Sequence, residues 1–173
     1  RQFDNPANPE AHYRTTGEEI VEQVGDRSVD ALVAGVGTGG TISGIGRRLR
    51  EEFPDVEIVA VEPEDSAVLS GREPEGDSFQ GMGPGFVSPN LDRDLLDDVL
   101  TVSLEDAEDE CRRLAREEGI LVGQSSGASN LAAKEVAERL VEEGAGSDRD
   151  EEPLVVTVYW DSGERYMSTG LFD

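Results

Sequence analysis

The sequence has little cysteine, lysine, histidine or tryptophan: each occurs once among its 173 residues. The lone cysteine, Cys111, excludes an intrachain disulfide framework and a cysteine-rich metal site, so no metal site is expected. No apolar run approaches the ~18 residues that a membrane-spanning helix needs. The opening segment RQFDNPANPE lacks the basic-then-apolar pattern of a secretory signal. These absences predict a cytoplasmic protein.

Positive charge is also scarce in this chain. It has 39 acidic residues against 15 Lys and Arg, a formal net charge of -24 and a pI of about 4.2. Such a surface repels nucleic-acid phosphates and anionic lipids, so neither nucleic acid nor membrane is expected as a partner. The acids are spread over the whole length, which favours the hypothesis of a halophilic protein whose self-repulsion is screened by salt. The alternative is an acidic protein without such adaptation.

The chain does contain enough apolar residues for a folded core. Leu, Ile, Val and Phe total 42 of 173 residues. That share exceeds the ~20% below which highly charged chains usually stay disordered. The length suits one domain. A globular protein is therefore predicted.

Apolar periodicity alternates between strand-like and helix-like segments. The predicted strands are 29–36, 56–61, 99–102 and 154–159, with a strand-like run at 119–122. The predicted helices are 17–24, 41–53, 104–118, 126–143 and a short 164–171. Residues 1–16 and 64–98 are rich in turn-forming residues and are predicted to be irregular. The alternation predicts an α/β fold with a mostly parallel sheet.

A run of small residues, GVGTGGT, follows the first predicted strand at 35–41 and leads into a helix. Small residues let backbone N–H groups converge, and a helix N-terminus adds about half a positive charge. Thr38 and Thr41 contribute hydroxyl donors, and no basic side chain occurs in the run. The run predicts a phosphate site held by backbone dipoles. The alternative is a tight structural turn.

The loop alone leaves two kinds of phosphate ligand open. Gly35, Gly37 and Gly40 satisfy the pattern G-x-G-x-x-G, and Glu62 lies near the end of the next predicted strand, as in dinucleotide-binding proteins. A small phosphate monoester such as pyridoxal phosphate fits the same loop.

Five segments together resemble one known family. They read QFDNPANPEAHYRTTGEEI at 2–20, GVGTGGT at 35–41, QGMGPGF at 80–86, GILVGQSSGA at 119–128 and DSGERYMSTGLF at 161–172. In this order they resemble the second half of the cysteine synthase (O-acetylserine sulfhydrylase) and cystathionine β-synthase family of fold-type II pyridoxal-phosphate enzymes. The resemblance implies a three-layer α/β domain with a parallel sheet, the large C-terminal domain of such an enzyme.

The resemblance also implies a role for individual residues. Those matching the cofactor-phosphate site are Gly37, Thr38, Gly39, Gly40 and Thr41. Ser125 matches the hydroxyl that bonds the pyridine nitrogen and leaves it largely unprotonated. Gln2 and Gly81 match positions beside the amino-acid substrate. Ser126 is the alternative to Ser125, but we expect it to be the N-cap of the following helix.

The chain departs from the family pattern at its start. Residues 1–16 match a segment between the domains, on the substrate side, and residues 17–173 match the cofactor-phosphate-binding domain. In the family the Schiff-base lysine precedes the segment that matches Gln2, and Lys134 matches no catalytic position. We therefore expect the lysine upstream of Arg1, assign no catalytic residue here, and expect the isolated chain, without the catalytic N-terminal part, to be inactive.

The implied reaction is β-replacement, in which sulfide displaces the acetate of O-acetylserine to give cysteine. Family members are usually homodimers, so a homodimer is expected of the full enzyme. Two alternatives stay open: an enzyme of the cystathionine β-synthase type, which uses homocysteine, and a non-catalytic module that binds phosphate or a partner protein.

Three further side chains have an interpretation. Cys111 has helical apolar spacing and is predicted to lie in the core. His12 has no catalytic role in the family and is predicted to be structural. Asp161 lies where the family usually has Pro-Ser-Ser-Gly, and a carboxylate near the ring nitrogen would change the protonation of that nitrogen.

Overall fold

The computed structural model describes residues 1–75 and 79–173. Within these ranges four strands form one parallel sheet in the order β3-β2-β1-β4. The strands are β1 Ala31–Gly35, β2 Glu57–Pro63, β3 Asp98–Val102 and β4 Val155–Thr157. They correspond to the four predicted strands, with ends shifted by a few residues. The run at 119–122 contributes an isolated antiparallel bridge between Val122 and Ser162.

The helices surround this sheet. They are α1 Ala7–Arg14, α2 Thr16–Val24, α3 Gly40–Glu52, α4 Leu104–Arg113 and α5 Gln124–Glu142. The predicted helix 104–118 changes at Leu114 into a π-helical turn, Leu114–Glu118. The predicted terminal helix is a short 3-10 turn, Gly163–Tyr166. None of the helices in the described ranges is long and apolar enough to cross a membrane.

The prediction that residues 1–16 are irregular is wrong for Ala7–Arg14, which is helix α1. This helix packs closely on α3 because Gly44 has no side chain: a Cβ there would lie 2.7 Å from the Cβ of His12. The prediction for 64–98 is confirmed apart from two 3-10 turns, Glu64–Ser66 and Arg93–Leu95, and from Asp98, which begins β3. Its residues 76–78 lie outside the described residues.

Two apolar layers sandwich the sheet, as the resemblance implied. On one face, Leu32 and Ala34 of β1 pack with Ile42, Ile45 and Leu49 of α3. On the other face, the alternate residues Ala31 and Val33 pack with α5 residues, including Ala128, Ala132 and Val136. Because successive strand side chains point to opposite faces, β1 is buried throughout. This three-layer arrangement fixes the carboxyl end of β1 between α3 and α5.

Candidate functional site

A cavity of about 610 Å³ opens where β1 ends. Its wall comes from four parts of the chain: residues 2–3, the loop and helix start between 35 and 42, residues 79–84, and the pair Ser125 and Trp160. Ligand sites of open parallel sheets lie at this carboxyl edge, and small-molecule sites span about 300–1,000 Å³. The location and size both suit a small ligand.

The glycine loop presents backbone donors to this cavity. Gly39 has a left-handed φ of 78°, and α3 begins directly after it. The first amides of a helix have no acceptor within the helix, so those at the start of α3 are available to a ligand unless a side chain binds them. The Gly40 amide is bound in this way, since it donates to the Thr38 hydroxyl at 3.2 Å. The first turn of α3 contains no acidic residue. The loop is therefore suited to an anion.

Close packing explains the small residues of this loop. A Cβ on Gly37 would lie 2.5 Å from the carbonyl oxygen of Gly81, and one on Gly39 would lie 2.5 Å from the Cβ of Leu91. A Cβ on Gly40 would collide with the Asn8 side chain. The backbone of the loop is thus held against its neighbours and leaves the ligand side open.

The two threonine hydroxyls are oriented by residues of α1. Thr38 Oγ1 accepts a hydrogen bond from Asn8 Nδ2 at 2.9 Å. Thr41 Oγ1 lies 3.2 Å from His12 Nε2, and the other ring nitrogen of His12 lies 2.9 Å from Thr16 Oγ1. Burial lowers the pKa of His12 below its usual 6.5, which favours the neutral ring. His12 does not line the cavity; it positions Thr41.

Ser125 reaches the same cavity from the start of α5. It is 4% exposed and lines the wall, with its Oγ 3.8 Å from where a Cβ on Gly81 would lie. Among the described residues its hydroxyl has no hydrogen-bond partner, so its proton and lone pairs are left for a ligand. Gly81 itself has a φ of +87°, which few side chains tolerate.

The prediction that Ser126 caps the following helix is wrong. The helix begins two residues earlier, with Gly123 as N-cap, and the Gly123 carbonyl accepts from the amides of Ser126 and Gly127. The Ser126 hydroxyl instead accepts the backbone N–H of Trp160 at 3.0 Å. It therefore ties α5 to the segment after β4.

The structure brings seven of the eight predicted site residues to one wall. Those lining the cavity are Gln2, Gly37, Thr38, Gly39, Thr41, Gly81 and Ser125. Gly40 lies behind the wall, facing Asn8. Gln2 is anchored through its carbonyl oxygen, which accepts from Asn8 at 2.9 Å and Asn90 at 2.8 Å. The roles of these residues stay predictions, but their convergence is a structural fact.

Comparisons with known proteins identify the family of the chain. The family model described as "Pyridoxal-phosphate dependent enzyme" matches residues 1–149. The chain belongs to this family.

The relatives of the chain include enzymes named for two related reactions. It is 48% identical to the cysteine synthase of Staphylococcus aureus over 99% of its own length and 53% of that protein. The crystal structure of O-acetyl serine sulfhydrylase isoform 3 from Entamoeba histolytica is 38% identical, with a TM-score of 0.86, covering 99% of this chain and 48% of that one. An O-acetylserine dependent cystathionine beta-synthase from Helicobacter pylori is 39% identical, with a TM-score of 0.86, covering 99% and 53%. The chain thus spans about half the length of these relatives.

The cavity fits the cofactor of the pyridoxal-phosphate family on its own chemistry. The amides and hydroxyls of the glycine loop suit a phosphate, and the unpartnered hydroxyl of Ser125 suits a ring nitrogen. Glu62, by contrast, is unavailable to a ribose: it is 2% exposed and accepts from the amides of Leu69 and Ser70 at 2.8 Å each. The dinucleotide alternative therefore has no free acid at this position.

Two of the remaining reactive side chains have structural partners. Cys111 is fully buried, donates to the Gly123 carbonyl at 3.2 Å, and has its pKa raised by burial to about 11. Its predicted core position is confirmed. Lys134 is 48% exposed and lies 3.7 Å from Glu110.

Asp161 does not line the cavity. Its carboxylate accepts from Tyr166 at 3.0 Å and pairs with Arg165 at 3.3 Å. Its other oxygen, Oδ1, is buried without a hydrogen bond from the described residues. A Cβ on Gly123 would collide with that oxygen. The carboxylate thus lies beside the N-cap of α5.

Sequence reasoning missed the apolar part of the wall, to which Trp160, Met82 and Phe79 contribute. Trp160 lies three residues after the end of β4, and residues just after a parallel strand belong to the ligand edge of the sheet. The position of Trp160 just after the last predicted strand could therefore have indicated that it lies at the ligand site.

Proposed function

We propose that this chain is the cofactor-phosphate-binding part of a cysteine synthase, which replaces the acetate of O-acetylserine by sulfide to give cysteine. One observation carries the proposal: the glycine loop before α3 and the Ser125 hydroxyl line the same cavity, as a phosphate and a pyridine nitrogen on one ligand require. We also propose a cytoplasmic, salt-adapted homodimer as the full enzyme.

The residues of the cavity would bind and orient rather than transfer protons. When bound, pyridoxal phosphate supplies an electron sink for the α-carbon of the amino acid. The amides at 37–41 and the Thr38 and Thr41 hydroxyls would hold the phosphate. Ser125 Oγ would donate to the ring nitrogen and leave it unprotonated, which suits elimination and replacement. Gln2 and Gly81 would lie beside the substrate.

The proton-transferring amine would come from elsewhere in the enzyme. None of the described cavity residues is a lysine, and Lys134 does not line the cavity but lies 3.7 Å from Glu110. The proposal therefore assigns that amine to the part of the family sequence that precedes the Gln2 segment.

The likeness to an O-acetylserine dependent cystathionine beta-synthase supports a second candidate, in which homocysteine takes the place of sulfide. The cavity residues described above suit either acceptor, since none of them distinguishes a small anion from a longer thiol. Turnover of O-acetylserine by the full-length protein with sulfide or homocysteine separates the two. Cysteine as the favoured product supports the first.

Binding of pyridoxal phosphate to the full-length protein tests the assignment of the site. Thr38→Val removes a hydroxyl from the loop and should weaken binding about tenfold, because hydrogen bonds to charged groups contribute about 1.5–3 kcal/mol. Thr101→Val is the matched control, since Thr101 is an exposed residue of β3 outside the cavity. Equal affinities of the two variants in equilibrium dialysis would refute the phosphate site.

A further inference from the structure

Trp160 packs against the core of the protein and also lines the cavity. Core packing alone does not require an aromatic ring at the cavity wall. Trp160 is the one tryptophan of the sequence and lies three residues after the end of β4. It is half-buried and packs against the apolar layer that contains Leu32 and Ile42, yet it also lines the cavity. The indole thus joins the core on one side and the ligand space on the other.

Two buried serines of α5 hold Trp160 in this position. Its backbone N–H donates to Ser126 Oγ at 3.0 Å, and its indole N–H lies 3.5 Å from Ser129 Oγ. Both serines are 0% exposed. They are three residues apart on the helix and therefore lie on one face of it. Both the main chain and the ring of Trp160 are fixed by the same face of α5.

The Ser129 hydroxyl also links Trp160 to the two polar parts of the site. It accepts the backbone N–H of Gly35 at 3.1 Å and donates to the carbonyl of Ser125 at 2.8 Å. With the indole N–H, these bonds use the one proton and both lone pairs of a hydroxyl. The end of β1, the turn containing Ser125 and the indole therefore share one anchoring atom.

The indole nitrogen lies beside the start of the glycine loop, and the Ser129 hydroxyl bridges it to the Gly35 amide. A Cβ on Gly35 would lie 3.7 Å from the indole nitrogen of Trp160 and 3.0 Å from Met82 Sδ. The wall beside the phosphate-type loop is thus aromatic and apolar. Such a surface favours a flat aromatic ring, for which offset stacking or edge contacts are favourable.

We propose that Trp160 contacts the pyridine ring of the cofactor and fixes its position against Ser125, with Ser126 and Ser129 acting as positioning residues for the indole. This inference rests on the proposed function, because it takes the ring to be that of pyridoxal phosphate.

The emission of Trp160 reports its proximity to the bound ring, and the difference in emission between the parent protein and Trp160→Phe isolates it from any other tryptophan of the full-length protein. Pyridoxal phosphate should quench this emission, whereas inorganic phosphate, which lacks the ring, should leave it nearly unchanged. Equilibrium dialysis of the same samples gives the affinity independently of fluorescence. Trp160→Ala should weaken pyridoxal-phosphate binding about tenfold, and Trp160→Phe, which keeps an aromatic face, by about threefold or less.

Tyr159→Phe is the matched control. Tyr159 adjoins Trp160 in sequence, but its hydroxyl donates to Asn130 at 2.7 Å and it does not line the cavity. The affinity of this variant should equal that of the parent protein. Ser129→Ala should leave the fold intact by circular dichroism and weaken quenching, because the ring loses its anchor.

The outcomes separate the two proposals. Binding measured by dialysis without quenching, or with equal affinity in Trp160→Phe and Trp160→Ala, overturns the role of Trp160 and leaves the cofactor site standing. Equal quenching by inorganic phosphate also overturns it, because contact with the ring would then not be what the emission reports. No binding at all in dialysis overturns the cofactor site and this inference with it. If Trp160→Ala does not fold, Trp160→Leu takes its place in the comparison, and equal affinities of Trp160→Leu and Trp160→Phe overturn the role of Trp160.

Discussion

Gly37 shows how single residues set the spacing of the site. Its φ is not in the left-handed region, so its backbone alone does not require glycine. The requirement comes from the Gly81 carbonyl oxygen, which lies 2.5 Å from where a Cβ would be. That oxygen is backbone and has no side-chain torsion to move it away. The two loops on either side of the cavity therefore meet at Gly37.

We expect Gly37→Ala to separate these loops and weaken pyridoxal-phosphate binding by about tenfold or more, with a loss of stability of about 1–3 kcal/mol from overpacking. Equilibrium dialysis and urea unfolding measure the two effects. Gly25→Ala is the control: its φ of +65° with a ψ of -128° strains any side chain by about 1–3 kcal/mol, but nothing lies within 4 Å of the new Cβ. An unchanged affinity in Gly37→Ala would contradict the close approach.

The site residues differ in how far the sequence predicts them. The glycine loop is local, because its run of small residues lies between a strand and a helix, and it was found from that pattern. The environments of Ser125 and Trp160 depend on chain segments more than thirty residues apart in sequence, as the bond from Trp160 to Ser126 illustrates. Periodicity carries no information on such contacts. Family resemblance located Ser125, and only the structure located Trp160.

Elements also differ in predictability. Strands β1 and β2 each contain a continuous apolar run, 31–34 and 58–61, and end at Gly35 and Pro63, so their positions follow from the sequence. Helix α1 was missed because Pro6 and Pro9 and two asparagines indicate a turn. Proline is tolerated in the first turn of a helix, and the packing against Gly44 of α3 stabilises the rest. Tertiary contact here outweighs local propensity.

Helices α4 and α5 meet at a small buried contact with a predictable response to pH. A Cβ on Gly127 would lie 2.6 Å from Cys111 Sγ, so the helices touch there. Cys111 packs in one cluster with Tyr166. Burial raises the pKa of Cys111 from 9.0 to about 11, and burial with the Asp161 hydrogen bond raises the pKa of Tyr166 from 10.0 to about 12.

We therefore expect stability to fall as the pH rises above about 9. Unfolded chains lose these protons near the ordinary pKa values, whereas the folded state keeps them up to the raised values. Each group's contribution is thus complete below its ordinary pKa and is lost by its raised one, with a slope of up to about 1.4 kcal/mol per pH unit. Urea unfolding between about pH 8 and pH 11 measures the slope.

Cys111→Ala is the matched variant for this slope. It removes one of the two titrating groups, so the fall in stability between the two pKa values of Cys111 should become shallower. Its stability is expected to be lower at neutral pH because a buried side chain is truncated, and this deficit should narrow as the pH rises toward 11. An equal slope in both proteins would show that the thiol is not held protonated by the fold.

At the scale of the whole molecule, surface charge and site chemistry are separate. The net charge of -24 is carried by acids on exposed parts of helices and loops, while the loop at 37–41 has no charged side chain. An anionic ligand is attracted over a few ångströms by backbone dipoles, whose effect is confined to the helix end. The charged surface acts over about 10 Å at about 0.1 M salt. In dilute salt the repulsion by the acidic surface reaches further, so an anion approaching the loop is repelled more strongly and its binding is weakened. The same repulsion between acids also destabilises the folded state.

Salt should raise the stability of this protein. Mutual repulsion among the excess acids favours expansion, and its range falls from about 10 Å at about 0.1 M to about 3 Å at about 1 M salt. Salt also weakens ion pairs such as Arg48 with Glu18, at 2.6 Å, but pairs at the surface contribute only about 0–1 kcal/mol each. Repulsion from the large net charge outweighs that loss, so the melting midpoint should rise with KCl.

A charge-reduced variant separates screening from other effects of salt. Four exposed acids far apart in sequence serve the purpose: Asp26→Asn, Asp55→Asn, Asp94→Asn and Glu142→Gln, which together change the net charge from -24 to about -20. If repulsion is the cause, this variant should melt higher than the parent protein in dilute KCl, and the difference should shrink as KCl is raised. A general strengthening of apolar burial would instead raise both midpoints in parallel. A midpoint that stays flat from dilute to molar KCl would contradict the salt-adaptation hypothesis, because an acidic surface that gains nothing from screening has no dependence on salt to explain.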